Sequence, residues 1–438
     1  MNPLHSEKRA SRICATLILS ALLGLSLFLE SCTDTCEQQN TYSYYEPVYM
    51  PLSALRSSIA VQEPQPITAV GKIYVKAGYL FVNEPGEGIH VINNEDPENP
   101  QPIHFIAIPG NVDIAIRNNI LYADSYIDLV ALDISNLDHV VEVGRLENIF
   151  SQYNNLGFYV DPQRGLVAEW VEVQNIEITE TPCDADVQSW GGYYYEDGIV
   201  AFAGGVKQSV TLPGQSTGVG GSFARFTINA DHLYMLDGGT IHTADITNPA
   251  EPVKESSNYI SWDIETIFPF DDKLFVGSNS GMHIFTLDDP AHPVKVTTYE
   301  HVRSCDPVVV EGETAYVTLR SGTECTGFTN QLEVINVEDW LAPSLIKVYP
   351  MHNPHGLGID QSLLFICDGD AGLKIYNAED SQNIDQHLIK HYENIHAYDV
   401  IPFNNVLMLI GEDGIFQYDY SNPTNIRLLS HLQITGEN

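Results

Sequence analysis

From Gly71 onward the chain is written in short apolar runs, each broken by Gly, Asp, Asn or Pro. The clearest runs share a two-residue anchor: Leu80-Phe81, Leu121-Tyr122, Leu233-Tyr234, Leu274-Phe275, Ala315-Tyr316, Leu364-Phe365 and Leu407-Met408. Successive anchors lie 41, 112, 41, 41, 49 and 43 residues apart, which defines seven units. A short run precedes each anchor, as in KIYV, DIAI, PVVV or YDVI. The anchor run follows, as in YLFV, ILYA or KLFVG, and then a turn. A third run (GIHVI, LVALDI, MHIFTL) and a fourth (QPIHFIAI, PVKVTTY, SLIKVY) complete the unit. Four strand-like runs per period of about 40 residues are the signature of a propeller blade. A single small sheet that is apolar on both faces cannot bury both by itself; stacking such sheets around an axis buries them and leaves only short edges. The pattern therefore predicts an all-β fold, a seven-bladed β-propeller of four-stranded antiparallel blades. No stretch of useful length has a helical period.

Asp96-Pro97, Asp289-Pro290, Asn248-Pro249 and Asn422-Pro423 fall where the third strand must reverse into the fourth. Asp or Asn caps such a turn through its side chain, while Pro presets the backbone and cannot continue a ladder. For ring closure we favour four strands per blade in chain order, ending with RLLSHLQI; the alternative pairs a strand near Ser57 to Val61 with the last blade. The long gap holds an insertion of about 71 residues, roughly 149–220, predicted to be β-rich and to lie between blades two and three. Trp190 and Tyr194 belong to its aromatic cluster. Inserted loops often carry recognition, so both are candidates for a binding face; the other reading is that its strands extend a blade and bury these rings.

The third-strand motif, seen as LVALDIS (Leu129 to Ser135), HIFTLDDP and EVINVED, resembles the LVIVD repeat of bacterial β-propeller lipoproteins. The resemblance runs from Gly71 to the C-terminus apart from the insertion; GIFQYDYSNP and GLKIYNAED match only in pattern. It implies a propeller and export, and it transfers no catalytic residue.

The N-terminus has its own logic. Lys8, Arg9 and Arg12 precede an apolar run from Ile13 to Leu29, shorter than the roughly 20 residues of a membrane span. This is the layout of an export signal. LESC (Leu29 to Cys32) resembles a lipoprotein box of the Bacteroidetes type, with Glu30 in place of the usual small or apolar residue. The expectation is a signal peptide over 1–31, lipid on Cys32, a tether over 32–55 and one propeller domain over 56–438. Lipid would anchor the chain at the outer membrane or cell surface without a spanning helix. Cleavage removes three of 20 basic and two of 58 acidic residues, leaving 17 against 56, a net charge of −39. So acidic a chain repels nucleic acid and anionic bilayers.

Outside the cytoplasm disulfides are permitted. Cys305 opens blade five and Cys325 lies in that blade's long turn, so a Cys305–Cys325 bridge is predicted. The same end of the ring should gather Arg303, Asp306, Arg320, His352, His355, Asp368, Asp370, His396 and Asp399 as a candidate binding face. His352, His355, Asp368 and His396 are the residues there that would suit a divalent metal. Their spacing matches no dedicated metal motif, and the expected cofactor is none. Asp399, Lys72, Asp113 and Arg225 occupy equivalent positions and alternate in sign, which reads as inter-blade structure. There is no H-E-x-x-H, G-x-S-x-G, P-loop or C-x-x-C. The leading expectation is a monomeric, lipid-anchored binding or scaffold module for an envelope protein or glycan; catalysis stays open, and the alternative is a hydrolase or lyase at the channel mouth.

Overall fold

A computed structural model describes residues 35–76, 78–150, 160–182, 193–194, 200–201, 222–262, 264–301, 307–321 and 329–435. The chain divides into two compact units. The smaller comprises Met1–Val48 and Glu169–Gln208. Most of a two-stranded ribbon, Thr35–Met50 against Leu166–Pro182, belongs to it. Part of the segment expected as a tether is thus a strand; its sequence, TYSYYEPVYM, is rich in residues that favour a pleated surface.

The larger unit, Tyr49–Ala168 with Ser209–Asn438, is the seven-bladed propeller. Each blade is an antiparallel meander with its strands in chain order, from Ile73–Lys76, Tyr79–Glu84, Gly88–Asn93 and Gln101–Ala107 in blade one to Ala397–Phe403, Val406–Gly411, Gly414–Asp419 and Arg427–Gln433 in blade seven. The first strands of successive blades adjoin and line the axis. Ring closure follows the simple phase. The strand near Ser57–Val61 does form, as Ala60–Gln62, but it pairs with the outer strand of blade one, giving that blade a fifth strand. Arg56, just before it, is held to blade two by Asp128 at 2.8 Å and Glu147 at 2.8 Å.

Among the described residues, seven apolar clusters form, one in each seam between consecutive blades. That distribution is the physical reason for the ring: neither face of a blade is covered until its neighbour arrives. The last seam joins Met408, Ile410 and Ile415 of blade seven to Ile73, Leu80 and Val82 of blade one. A reciprocal amide pair, Asn94 with Gln417 at 2.8 Å each way, lies across the same seam. Every blade also carries a register shift between its third and fourth strands. Such bulges increase local twist.

Three of the four Asp-Pro and Asn-Pro turns from strand three to strand four behave as the sequence implies, while the Asn248 amide donates to Glu251 at 3.0 Å. Asp96, Asp289 and Asn422 each accept the backbone N–H two residues on, at 3.1, 3.2 and 3.1 Å. A second such bond, accepted by the last residue of strand three, precedes this turn in blades one, two, three, five, six and seven, for example from the Glu95 N–H to Asn93 at 3.0 Å and from the Glu379 N–H to Asn377 at 2.8 Å.

Candidate functional site

We call upper the end of the ring where first strands begin and strands two and three turn. At the axis of that end, Lys72 and Asp113 of blades one and two form an ion pair at 3.0 Å, with both side chains almost completely buried. Asp113 also accepts the backbone N–H groups of Arg225 and Phe226, at 2.6 and 3.0 Å. Burial pulls the Lys72 ammonium down from its ordinary range, and the Asp113 carboxylate pulls against it.

Residues Ser222–Ala224, leading into blade three, reach across this hub. Lys72 donates to the Phe223 carbonyl at 2.5 Å. The Ser222 hydroxyl donates to Asp399 Oδ1 of blade seven at 3.0 Å and accepts the Leu357 N–H of blade six at 3.0 Å. Ala224 accepts the N–H of Ile267 in blade four at 2.8 Å. One short segment thus ties blade three to blades one, four, six and seven. Gly356, at the hub position of blade six, is forced by this crowding: an added Cβ would lie 1.9 Å from Asp399 Oδ1.

The expected alternation of charge is realised only in part. Lys72 and Asp113 pair, but the Arg225 guanidinium turns to the Leu236 carbonyl of its own blade, at 3.0 Å. Asp399 is fully buried. Its Oδ1 accepts Ser222 and the Val400 N–H, and its Oδ2 has no hydrogen-bond partner among the described residues. Burial therefore raises its carboxyl well above the usual range.

Outward from the hub, blades six and seven present a second group. Asp368, expected on the binding face, is instead buried and fully engaged: it accepts the N–H groups of His352 and Asn353 and the Lys374 ammonium at 2.5 Å. It holds the C-D-G-D turn rather than facing solvent, because a carboxylate at the start of a tight turn meets several backbone donors. His352 is exposed and Asp370 is exposed. His396, one-third exposed, places Nδ1 at 3.0 Å from Asp370 and 3.3 Å from Glu412. Its ring lies 4.8 Å from that of Tyr398, and Tyr398 lies 5.5 Å from His355. His355 is buried, with Nε2 3.2 Å from Asn353. Desolvation, then the charge of Arg320 and the neighbouring His396, push its pKa down to about 3. It is a neutral imidazole at physiological pH.

The structure thus brings His355, Asp370 and His396 together and adds Tyr398 and Glu412, which the sequence reading missed. It also missed Tyr259 and Trp262 at the upper end between blades three and four, 69% and 70% exposed. Their signal was an aromatic at the end of a fourth strand and another just after it. Arg303, Cys305, Asp306, Cys325, Trp190 and Cys32 lie outside the described residues, as does the side chain of Tyr194. Cys367 is a buried free thiol. Among the described residues no three His, Cys, Asp or Glu side chains converge as a metal site. No helix there is long and apolar enough to cross a membrane.

No known protein family and no curated protein matches the chain. Solved structures do resemble it. A functionally unknown protein from Desulfotomaculum acetoxidans aligns at 11% identity over 82% of this chain and 98% of its own, with a TM-score of 0.50. Sqt1 of Saccharomyces cerevisiae aligns at 8% identity over 90% and 91%, TM-score 0.49. BamB of Moraxella catarrhalis aligns at 12% identity over 82% and 99%, TM-score 0.44. At such identities the likeness concerns the fold alone.

Proposed function

We propose that this protein is a lipid-anchored extracytoplasmic propeller of the LVIVD-repeat type that acts as a binding or scaffold module for an envelope protein or glycan. The observation that carries the binding role is the division of labour at the upper end. The hub groups Lys72 with Asp113 and Ser222 with Asp399 are buried and paired, so they serve the joining of blades. The accessible polar groups are a rim of imidazole, phenol and carboxylates around His396 and Tyr398. Rings edged with carboxylates and an imidazole suit hydrogen bonding and stacking to a sugar or to a protein side chain. The anchor rests on LESC and Cys32, and the outer membrane or cell surface is the address it gives.

Two measurements test this. Metabolic labelling with a clickable fatty acid is expected to mark the wild-type chain and not Cys32→Ala; label retained by the variant removes the anchor. The soluble domain is expected to retain a defined glycan or a purified envelope protein, and His396→Ala/Tyr398→Ala to lose it at unchanged thermal midpoint. Turnover of a glycan or ester by the domain, with stoichiometric metal by elemental analysis, would replace the binding reading with the hydrolase or lyase alternative.

A further inference from the structure

At the lower end of the ring, where strands one and two turn, the seam between blades one and two contains a cleft of about 440 Å³. This is within the range of small-ligand sites. Lys76, Tyr79 and Phe81 of blade one form one side, and Asn119, Leu137 and Asp138 of blade two form the other.

Strand register makes the seam between blades four and five its internal counterpart. Tyr74 pairs with Phe81 as Phe268 pairs with Phe275, and Lys76 pairs with Tyr79 as Phe270 pairs with Lys273. The Ile134 N–H donates to the Asn119 carbonyl as the Val337 N–H does to that of Glu313, so Leu137 corresponds to Trp340. In the counterpart seam Phe270 and Trp340 both pack onto the apolar cluster. Trp340 lies 5.7 Å from the Phe275 ring, and Lys273 caps it at 5.2 Å. In the seam between blades one and two, Lys76 stands for Phe270 and Leu137 for Trp340. Tyr79 in turn stands for Lys273, so the seam has one ring fewer, and the cleft lies between these replaced residues.

The replacement is also polar in a particular sense. Among the described residues no carboxylate lies within ion-pair distance of Lys76, although the chain carries 58 acidic residues against 20 basic ones. Burial alone holds its ammonium below the ordinary range. Asp138, the acid on the far wall, is turned to His104 at 3.0 Å. A cleft with an apolar floor at Phe81, a leucine where the counterpart seam has Trp340 and one ammonium with no carboxylate beside it among the described residues has a defined complement.

We infer that the cleft between blades one and two is a binding site for a small organic anion built on a single ring, such as an aromatic or cyclic carboxylate. The ring takes the space that Trp340 fills in the counterpart seam, and the carboxylate meets Lys76. This site is separate from the rim around His396 and stands or falls independently of it.

Benzoate is the probe, with benzamide as its neutral counterpart, followed by saturation-transfer NMR and titration on the full soluble domain. Wild type is expected to bind benzoate saturably at one site and benzamide about tenfold more weakly, the factor expected for one charged hydrogen bond. Leu137→Trp recreates the counterpart seam and is expected to abolish binding at unchanged thermal midpoint. Lys76→Met is expected to weaken benzoate about tenfold and leave benzamide unaltered. If Leu137→Trp does not fold, Lys76→Phe closes the cleft from the other wall and is expected to abolish binding likewise. No saturable benzoate binding by wild type, or equal binding by wild type and the closed variant, overturns the assignment.

Discussion

Lys72 and His396 stand at the same end of the ring and would look alike in a list of polar residues, yet their surroundings differ completely. Lys72 is 2% exposed, and its ammonium is held by the Asp113 carboxylate and the Phe223 carbonyl. His396 sits on the rim, one-third exposed, between the carboxylates of Asp370 and Glu412. A buried charge must be matched where it lies, so the hub groups serve the assembly of blades. An exposed imidazole between carboxylates loses little by exchanging water for a ligand, so the rim is where recognition can occur. The contrast assigns structure to one group and binding to the other through accessibility, not residue type.

The hardest test of that contrast is Lys72→Met. It leaves Asp113 buried with three backbone donors and no cation, and a loss of about 3–5 kcal/mol in urea unfolding is expected. A loss below about 1 kcal/mol would mean that the hub pair behaves like a surface one. Ser222→Ala comes next. It strips Asp399 of its hydroxyl donor and leaves the Leu357 N–H unsatisfied, so about 1–3 kcal/mol should be lost.

The pH dependence separates two further groups. The Asp399 carboxyl is raised in the folded state, so the unfolded chain releases its proton first. Stability from this group is full at low pH and falls as pH rises above the ordinary carboxylate value. Asp399→Asn keeps the Oδ1 acceptor and should therefore be as stable as wild type at acid pH and more stable near neutrality. His355 acts in the opposite sense: with a folded value of about 3, its contribution is present above the ordinary histidine range and is lost as pH falls from there toward 3. His355→Gln should flatten the acid limb of a plot of unfolding free energy against pH, and an unchanged limb would show that His355 is not buried neutral. The smallest expected effect is that of His396→Ala, within about 0.5 kcal/mol of wild type. A larger loss would move the rim into the category of the hub.

The repeat was legible because it is local. An anchor every 41 to 49 residues outside the one insertion, a turn former between runs and, in four units, an Asp-Pro or Asn-Pro pair after the third run are features of neighbouring residues. They led to seven blades, to strand order within each blade and to the side-chain-capped turns. Part of the candidate site was equally legible: His355, Asp370 and His396 lie next to strand ends whose direction follows from the meander.

What stayed hidden depends on contacts between blades and on burial. Asp368 and Asp370 are two residues apart in one turn, yet one is buried under Lys374 and the other is exposed. Nothing in the spelling DGD separates them. Ser222 lies 177 residues from Asp399, and only closure of the ring places its hydroxyl between blades six and seven. The cleft beside Lys76 is lined from two blades, with Leu137 and Asp138 arriving from the second. By itself, then, the sequence determined the blades and their number, since strand periodicity and turn chemistry act over a few residues. The tertiary structure alone decided which polar groups are buried in the hub, which face solvent and where a seam is left unfilled, since each is a property of surfaces that meet only when the ring closes.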